Sequence, residues 1–213
     1  WFVFEYALGV KVIDGHPFLL WFVLGLIPWF FFSDAWLNAT NAFTQYSYLV
    51  KKMIFKIEIL PTVKIVSSIF TSAIFHCILA FILILYGEGD EVSALAIPYY
   101  FICTLILVYS LSLITSSVVV FFQDMRQLLT IILQFGIYLT PILWSQSVIP
   151  SDIRWILKIN PMFYVVDGYR SSLLGGWEFD AGWTLFFWIT TLFLLYIGVM
   201  VYDRLRPHFA DVL

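Results

Sequence analysis

Charge is scarce in this chain. Lys and Arg number 11 and Asp and Glu 14 among 213 residues, 12% charged, against about 25% in a soluble domain. So few charges cannot clothe a water-facing surface, which excludes a soluble globular fold. No run of Lys or Arg is long enough to track a phosphate backbone, and the net charge of −3 gives no case for nucleic acid as a partner. The two cysteines, Cys77 and Cys103, both sit inside apolar runs. That placement predicts reduced packing residues and neither a disulfide nor a metal pair. His16, His76 and His208 are far apart and show no metal-ligand spacing. There is no glycine-rich phosphate loop, so the chain does not hydrolyse a nucleotide itself. Repeats and low-complexity segments are also missing. The chain opens on Trp1 in apolar sequence, without Met or a charged leader; this reads as a fragment lacking its natural start and not as a signal peptide.

What is present is oil. Apolar residues make up 62% of the chain, against roughly 45–50% in soluble domains, so the fold class is all-α integral membrane. A helix needs about 20 residues to cross the hydrocarbon core. On that ruler residues 1–10 are the end of a first span, and complete spans cover 18–41, 63–87, 97–122, 127–146 and 181–203 of a single domain, 1–213. That makes six spans with the first truncated. Lys11, Asp14, Gly15, His16 and Pro17 form a polar turn, and 88–91 an acidic one. Pro28 predicts a kink that neighbouring helices can accommodate.

Residues 45–61 differ from everything around them. Tyr46, Leu49, Val50, Met53, Ile54 and Ile57 recur at helical spacing, with Lys51, Lys52 and Lys56 off that face. Pro61 is expected to stop this helix. Lys51, Lys52, Lys56, Lys64, Arg126, Arg204 and Arg206 collect on one side of the membrane, and Lys11, Arg154, Lys158 and Arg170 on the other. Seven against four puts the basic helix and the tail, 204–213, in the cytoplasm. The sequon Asn38-Ala39-Thr40 then lies at a cytoplasmic helix end and is discounted as a glycosylation site.

Residues 151–176 read as two short helices in the outer leaflet. Ser151 can cap the first, Asn160 followed by Pro161 starts the second, and Gly175-Gly176 ends it. The second covers about 14 residues, roughly 21 Å, too short to cross. Membrane-depth charges mark function unless paired or wet. Glu5 and Asp34 read as interfacial caps, and Asp167 and Arg170 as an i, i+3 pair, with Arg170 either anchoring the outer helices or meeting an anionic substrate. His76 reads as a hydrogen-bonded packing residue, and the Ser and Thr of the spans as bonding back to their helices. Aromatics cluster as Trp29, Phe30, Phe31, Phe32 and Trp36 toward the inner side, and as Tyr99, Tyr100, Trp144, Trp155, Tyr164 and Trp177 toward the outer. Two readings stand for them: interfacial belts, or faces that stack on sugar rings in a conduit.

GLIPWFFFSDA (25–35), LVKKMIFKIEILP (49–61), VFFQDMRQLLTIILQFGIYLTPILW (120–144), NPMFYVVDGYRSSLLGG (160–176) and RLRPHFADVL (204–213) occur in that order. Together they resemble the permease subunits of ABC type-2 exporters for teichoic acids and O-antigen polysaccharides. TPILW and NPMFYVVDGYR look closer to the teichoic acid branch. Two departures stand out: the family's N-terminal amphipathic helix and most of its first span are absent, and Lys56 replaces a common Pro, which predicts a different turn there.

The resemblance implies a multi-pass protein of the bacterial cell membrane, not an enzyme. Two copies form the path, 45–61 is a cytoplasmic coupling helix, and two separate ATPase subunits bind ATP and Mg. The implied cargo is a polymer on a polyprenyl diphosphate lipid, wall teichoic acid first and O-antigen or capsular polysaccharide as the alternative, carried from the cytoplasmic to the outer face, with membrane lipids as further partners. Lys51, Lys52, Phe55 and Glu58 are the expected ATPase contacts. Glu58 has no opposite charge at i±3 or i±4 and is expected to be free for a partner. Asp124 and Arg126 form a second cytoplasmic contact, Trp29, Phe30, Trp36 and Tyr138 line the conduit, and Arg170 serves the outer gate. A membrane enzyme acting on lipid-linked sugars would need converging acids, which these sparse acids do not supply. A small drug or lipid exporter of the same fold fits less well, because large extracellular domains are missing and aromatics abound.

Overall fold

The computed structural model describes residues 9, 12–52, 56–86, 96–174 and 179–213. Gly9 apart, the first-span tail at 1–10 lies outside the described residues, with Glu5 in it. So do Phe55, the acidic turn, Gly175-Gly176 and Trp177. The polar turn is a small antiparallel hairpin, β1 (Val12–Ile13) and β2 (His16–Pro17). Asp14 and Gly15 link the strands with φ of 50° and 88°, the left-handed conformation that an Asp-Gly pair accepts in a two-residue hairpin.

Helix α1 (Phe18–Thr40) runs past Pro28 without interruption. Short helices α2 (Ala42–Gln45) and α3 (Ser47–Lys52) follow, then α4 (Ile59–Tyr86), α5 (Ala96–Val119), α6 (Met125–Leu139), α7 (Pro161–Leu174), α8 (Ala181–Leu205) and α9 (Phe209–Val212). Among the described residues, α1, α4, α5 and α8 with its extension to His208 are long and apolar enough to cross a membrane. The all-α membrane class holds, and the two central helices, α1 and α5, pack against each other. α4 lies along α1, α8 along α5, and α7 over α1 and α5. Gly198 lets α8 close on α5: a Cβ there would meet the Ser110 carbonyl at 2.9 Å and the Leu113 Cβ at 3.0 Å. Small residues allow such backbone approach where lipid provides no hydrophobic drive.

Several boundaries differ from the sequence reading. The basic helix is not continuous to Pro61: α3 ends at Lys52, Ile57 and Glu58 form a turn, and the next long helix starts at Ile59. Pro61 falls in the first turn of α4, where its missing N–H has no ladder partner to lose, so it starts a helix instead of stopping one. The fifth span is also shorter than 127–146. α6 has 15 residues, roughly 22 Å of rise against a core of ~30 Å. Thr140 is extended because Pro141 pushes the residue before it out of the helical region. Below it, 151–159 is a 3-10 helix, and Pro150, not Ser151, holds the cap position. α7 matches the reading: Asn160 Oδ1 accepts from the Met162 N–H at 3.0 Å, and Pro161 is the first helical residue of 14.

Candidate functional site

The helix ends sort into two groups. At one end lie the close of α1, α2, α3, the turn before α4, the close of α5 and the close of α8. A cluster of buried side chains, distinct from the main core, binds them: Phe43, Val50, Ile57, Leu60, Tyr202 and Phe209. This is the end to which the lysine and arginine bias assigns the cytoplasm. Of the apolar stripe in 46–57, Val50 and Ile57 are buried here and Tyr46 and Leu49 pack against it. Its amphipathic character is therefore used for packing within the protein. Lys64 Nζ sits 4.9 Å from the centre of the Tyr46 ring.

Of the expected ATPase contacts, Lys51 and Lys52 close α3, and Phe55 lies outside the described residues. Glu58 is not free. Its carboxylate lies 3.9 Å from the Arg206 guanidinium, both half-exposed, a partner 148 positions away that local spacing could not reveal. Asp124 occupies the cap position of α6, exposed and without a side-chain capping bond. Arg126 donates to Thr44 Oγ1 at 3.4 Å, so it ties the α6 start to α2.

The opposite end gathers the hairpin, 141–160, α7 and the start of α8. The Ser145 hydroxyl donates to Asp14 at 2.6 Å, and Lys158 pairs with Asp180 at 3.6 Å. Asp180 also accepts from the Trp183 N–H at 3.0 Å and so caps α8. That backbone bond, with Lys158 adding attraction, holds its carboxyl below the ordinary carboxylate range.

Among the described residues, Arg170 is the charged side chain that is buried. Its guanidinium donates to the backbone carbonyls of Trp21 at 3.3 Å, Ile142 at 3.2 Å and Pro141. Its Cζ lies 3.5 Å from the centre of the Trp21 ring. The fork thus fastens α7 to the start of α1 and to the chain after α6. Asp167 does not take it up as a hydrogen-bonded i, i+3 partner; it instead receives Gln146 Nε2 at 3.4 Å. Of the two roles left open for Arg170, the structure shows the anchor. Beside it is a cavity of about 270 Å³ lined by Asp14, His16, Gln146, Asp167 and Ser171.

The expected conduit residues separate. Trp29 is buried and packs on α6, where a Cβ at Gly136 would meet its ring at 2.7 Å. Trp36 is buried and donates to Thr115 Oγ1 at 3.2 Å. Phe30 and Tyr138 are exposed. Phe30 lines a cavity of about 390 Å³ between α1, α4 and α6 with Asp34, Leu37, Ser68, Phe75 and Leu133. At the end opposite the Phe209 cluster, Tyr164 shares hydrogen bonds with Tyr99 at 2.9 Å and Thr184 at 2.9 Å, and Trp188 donates to Tyr99 at 3.1 Å. These aromatics join α5, α7 and α8, a structural use that neither a belt nor a stacking surface describes. His76 bonds the Ser72 carbonyl at 2.8 Å and the Tyr169 hydroxyl at 3.2 Å, and Thr104, Ser110 and Ser117 bond back four residues along α5, as expected. Cys77 and Cys103 are free.

Residues 1–174 match the family described as ABC-2 type transporter. The chain belongs to that family. It is a multi-pass inner-membrane protein, a transmembrane subunit by family. Relatives include two O-antigen export system permease proteins RfbA of Klebsiella pneumoniae. They are 26% and 24% identical, and each match takes in 100% of this chain and 81% of the relative. A third, the O-antigen export system permease protein RfbA of Myxococcus xanthus, is 22% identical over 93% of this chain and 76% of its own length.

Proposed function

We propose that this chain is the membrane subunit of an ATP-driven exporter that carries a lipid-linked cell-envelope polysaccharide to the outer face of the membrane. The observation that carries this reading is the similarity, over the whole of this chain and 81% of each relative, to permeases named for O-antigen export. Those names favour an O-antigen or related polysaccharide over teichoic acid as the polymer, although TPILW and NPMFYVVDGYR keep teichoic acid as the second reading. The chain supplies no phosphate loop, so separate nucleotide-binding subunits, two per pair of permeases, bind ATP and Mg. Their docking face is the packed end of the bundle, with Lys51, Lys52 and Phe55 on the connection and Asp124 and Arg126 on the adjoining turn; Glu58, taken up by Arg206, supports that face from within. Phe30 and Tyr138 offer ring faces to sugars, with Trp29 and Trp36 packed behind them, and Arg170 holds the outer gate in register.

Co-expression with the neighbouring ATPase and reconstitution into proteoliposomes tests this. Expected is co-purification of an ATPase, and ATP-dependent movement of a polyprenyl-diphosphate-linked O-antigen polymer in preference to a teichoic acid one. If no ATPase is retained, or neither polymer moves, the reading is wrong. If only the teichoic acid polymer moves, its choice of polymer is wrong.

A further inference from the structure

Residues 205–213 do not hang free. Arg206, Pro207 and His208 form a 3-10 turn with Pro near its start, which ends the α8 ladder and turns the chain. α9 then sends Phe209 back into the inner cluster, with no exposed surface. Its ring centre is 5.2 Å from Phe43, 6.0 Å from Phe121 and 6.2 Å from Tyr202. Val50 and Ile57, on either side of the middle of the basic connection, are buried in the same cluster. Glu58, the next residue, meets Arg206. Two elements far apart in sequence therefore rest on one buried ring and one ion pair.

This matters because of length. α3 is described over six residues and is over before Lys56, and an isolated helix below about 12–15 residues is marginal in water. A piece that short cannot transmit a push unless something behind it is stiff. Packing must supply that stiffness, and Phe209 and Phe43 are the largest fully buried side chains in the cluster, Phe209 being the one brought in by the C-terminal segment.

We propose that segment 205–213 is a brace that positions the 46–58 connection for coupling to the ATPase, with Phe209 and Arg206 as positioning residues. This rests on the export reading above. The brace does not touch nucleotide or polymer. It sets how much of an ATPase displacement reaches α1 and α4.

The test uses the assembled permease–ATPase complex in nanodiscs and proteoliposomes, with Cys77 replaced by Ser and a nitroxide on Tyr48→Cys, an exposed position on α3. Phe209→Ala is expected to retain ATP hydrolysis while lowering polymer moved per ATP by about tenfold, within the ordinary range of intersite coupling. The nitroxide spectrum should sharpen as α3 loosens. Phe209→Leu, which keeps the buried apolar bulk, should restore both. Should Phe209→Ala fail to fold, the ion pair decides. Glu58→Arg and Arg206→Glu should each lower the transport-to-hydrolysis ratio, and the double exchange should restore it. A merely structural contact would lower hydrolysis and transport together and leave that ratio unchanged. Unchanged coupling and spectrum in Phe209→Ala, or a double exchange no better than Glu58→Arg alone, overturns the brace while leaving the export reading intact. A wild-type chain that retains no ATPase sinks both.

Discussion

Arg170 shows how a single side chain can be read in two ways until its partners are known. In sequence it is a cation beside Asp167 in a short outer helix. In the fold its guanidinium donates to the Pro141 and Ile142 carbonyls in the turn after α6 and to the Trp21 carbonyl in the first turn of α1. Guanidinium geometry suits this and an ammonium does not. Arg170→Lys is therefore expected to lower the thermal midpoint of the detergent-solubilised protein, by an amount equivalent to about 1–3 kcal/mol for lost charged hydrogen bonds. Tryptophan fluorescence would record it. An unchanged midpoint would return Arg170 to the role of a substrate contact. Gly168, two residues earlier, is a second residue-scale constraint: a Cβ there would run into the Tyr100 ring of α5. Gly168→Ala should cost about 1–3 kcal/mol through overpacking, and Tyr100→Leu in the same chain should recover part of it.

At the scale of elements, prolines and caps decide where helices begin and end. Pro161 and Asn160 start α7 as a sequence reader expects, and Asn160 Nδ2 also donates to Thr140 Oγ1 at 2.9 Å, which joins the α7 start to the end of α6. Asn160→Ala should cost roughly 0.5–2 kcal/mol, the usual price of a cap, and should speed proteolysis within 140–160; Asn160→Asp keeps the cap acceptor and should lie close to wild type. Asp180 gives the pH dependence of the α8 start. Its folded carboxyl titrates below the ordinary value, so its stabilising contribution is complete above the unfolded pKa, about 3.9, and is lost as pH falls through the depressed folded value. Wild type and Asp180→Asn should thus differ in thermal midpoint at neutral pH and converge in acid. A gap that persists below the folded value would show that the charge is not the cause.

For the whole molecule, the two groups of helix ends predict sidedness. In a background with Cys77 replaced, Cys at position 208 should react with a membrane-impermeant maleimide only in inverted vesicles, and Cys at 151 only in intact cells; both side chains are exposed. The reverse pattern would invert the topology drawn from the lysine and arginine bias. At this level the chain alone gives an expectation of sidedness, because hydropathy and charge asymmetry act through the bilayer and not through tertiary contacts. The cluster around Phe209 was half legible: the stripe Tyr46–Leu49–Val50–Ile57 is periodic, but its cover, Phe209, lies about 150 residues later and has no periodic signature.

Sequence by itself determined the membrane class, the long helices, the polar hairpin turn, the α7 start and the basic connection. Each follows from local composition, spacing or cap chemistry. Tertiary structure decided the rest. Arg170 binds carbonyls in preference to Asp167, and Glu58 meets Arg206. Those outcomes depend on which surfaces the helices bring together, and partners so distant in sequence become neighbours only when the bundle has formed.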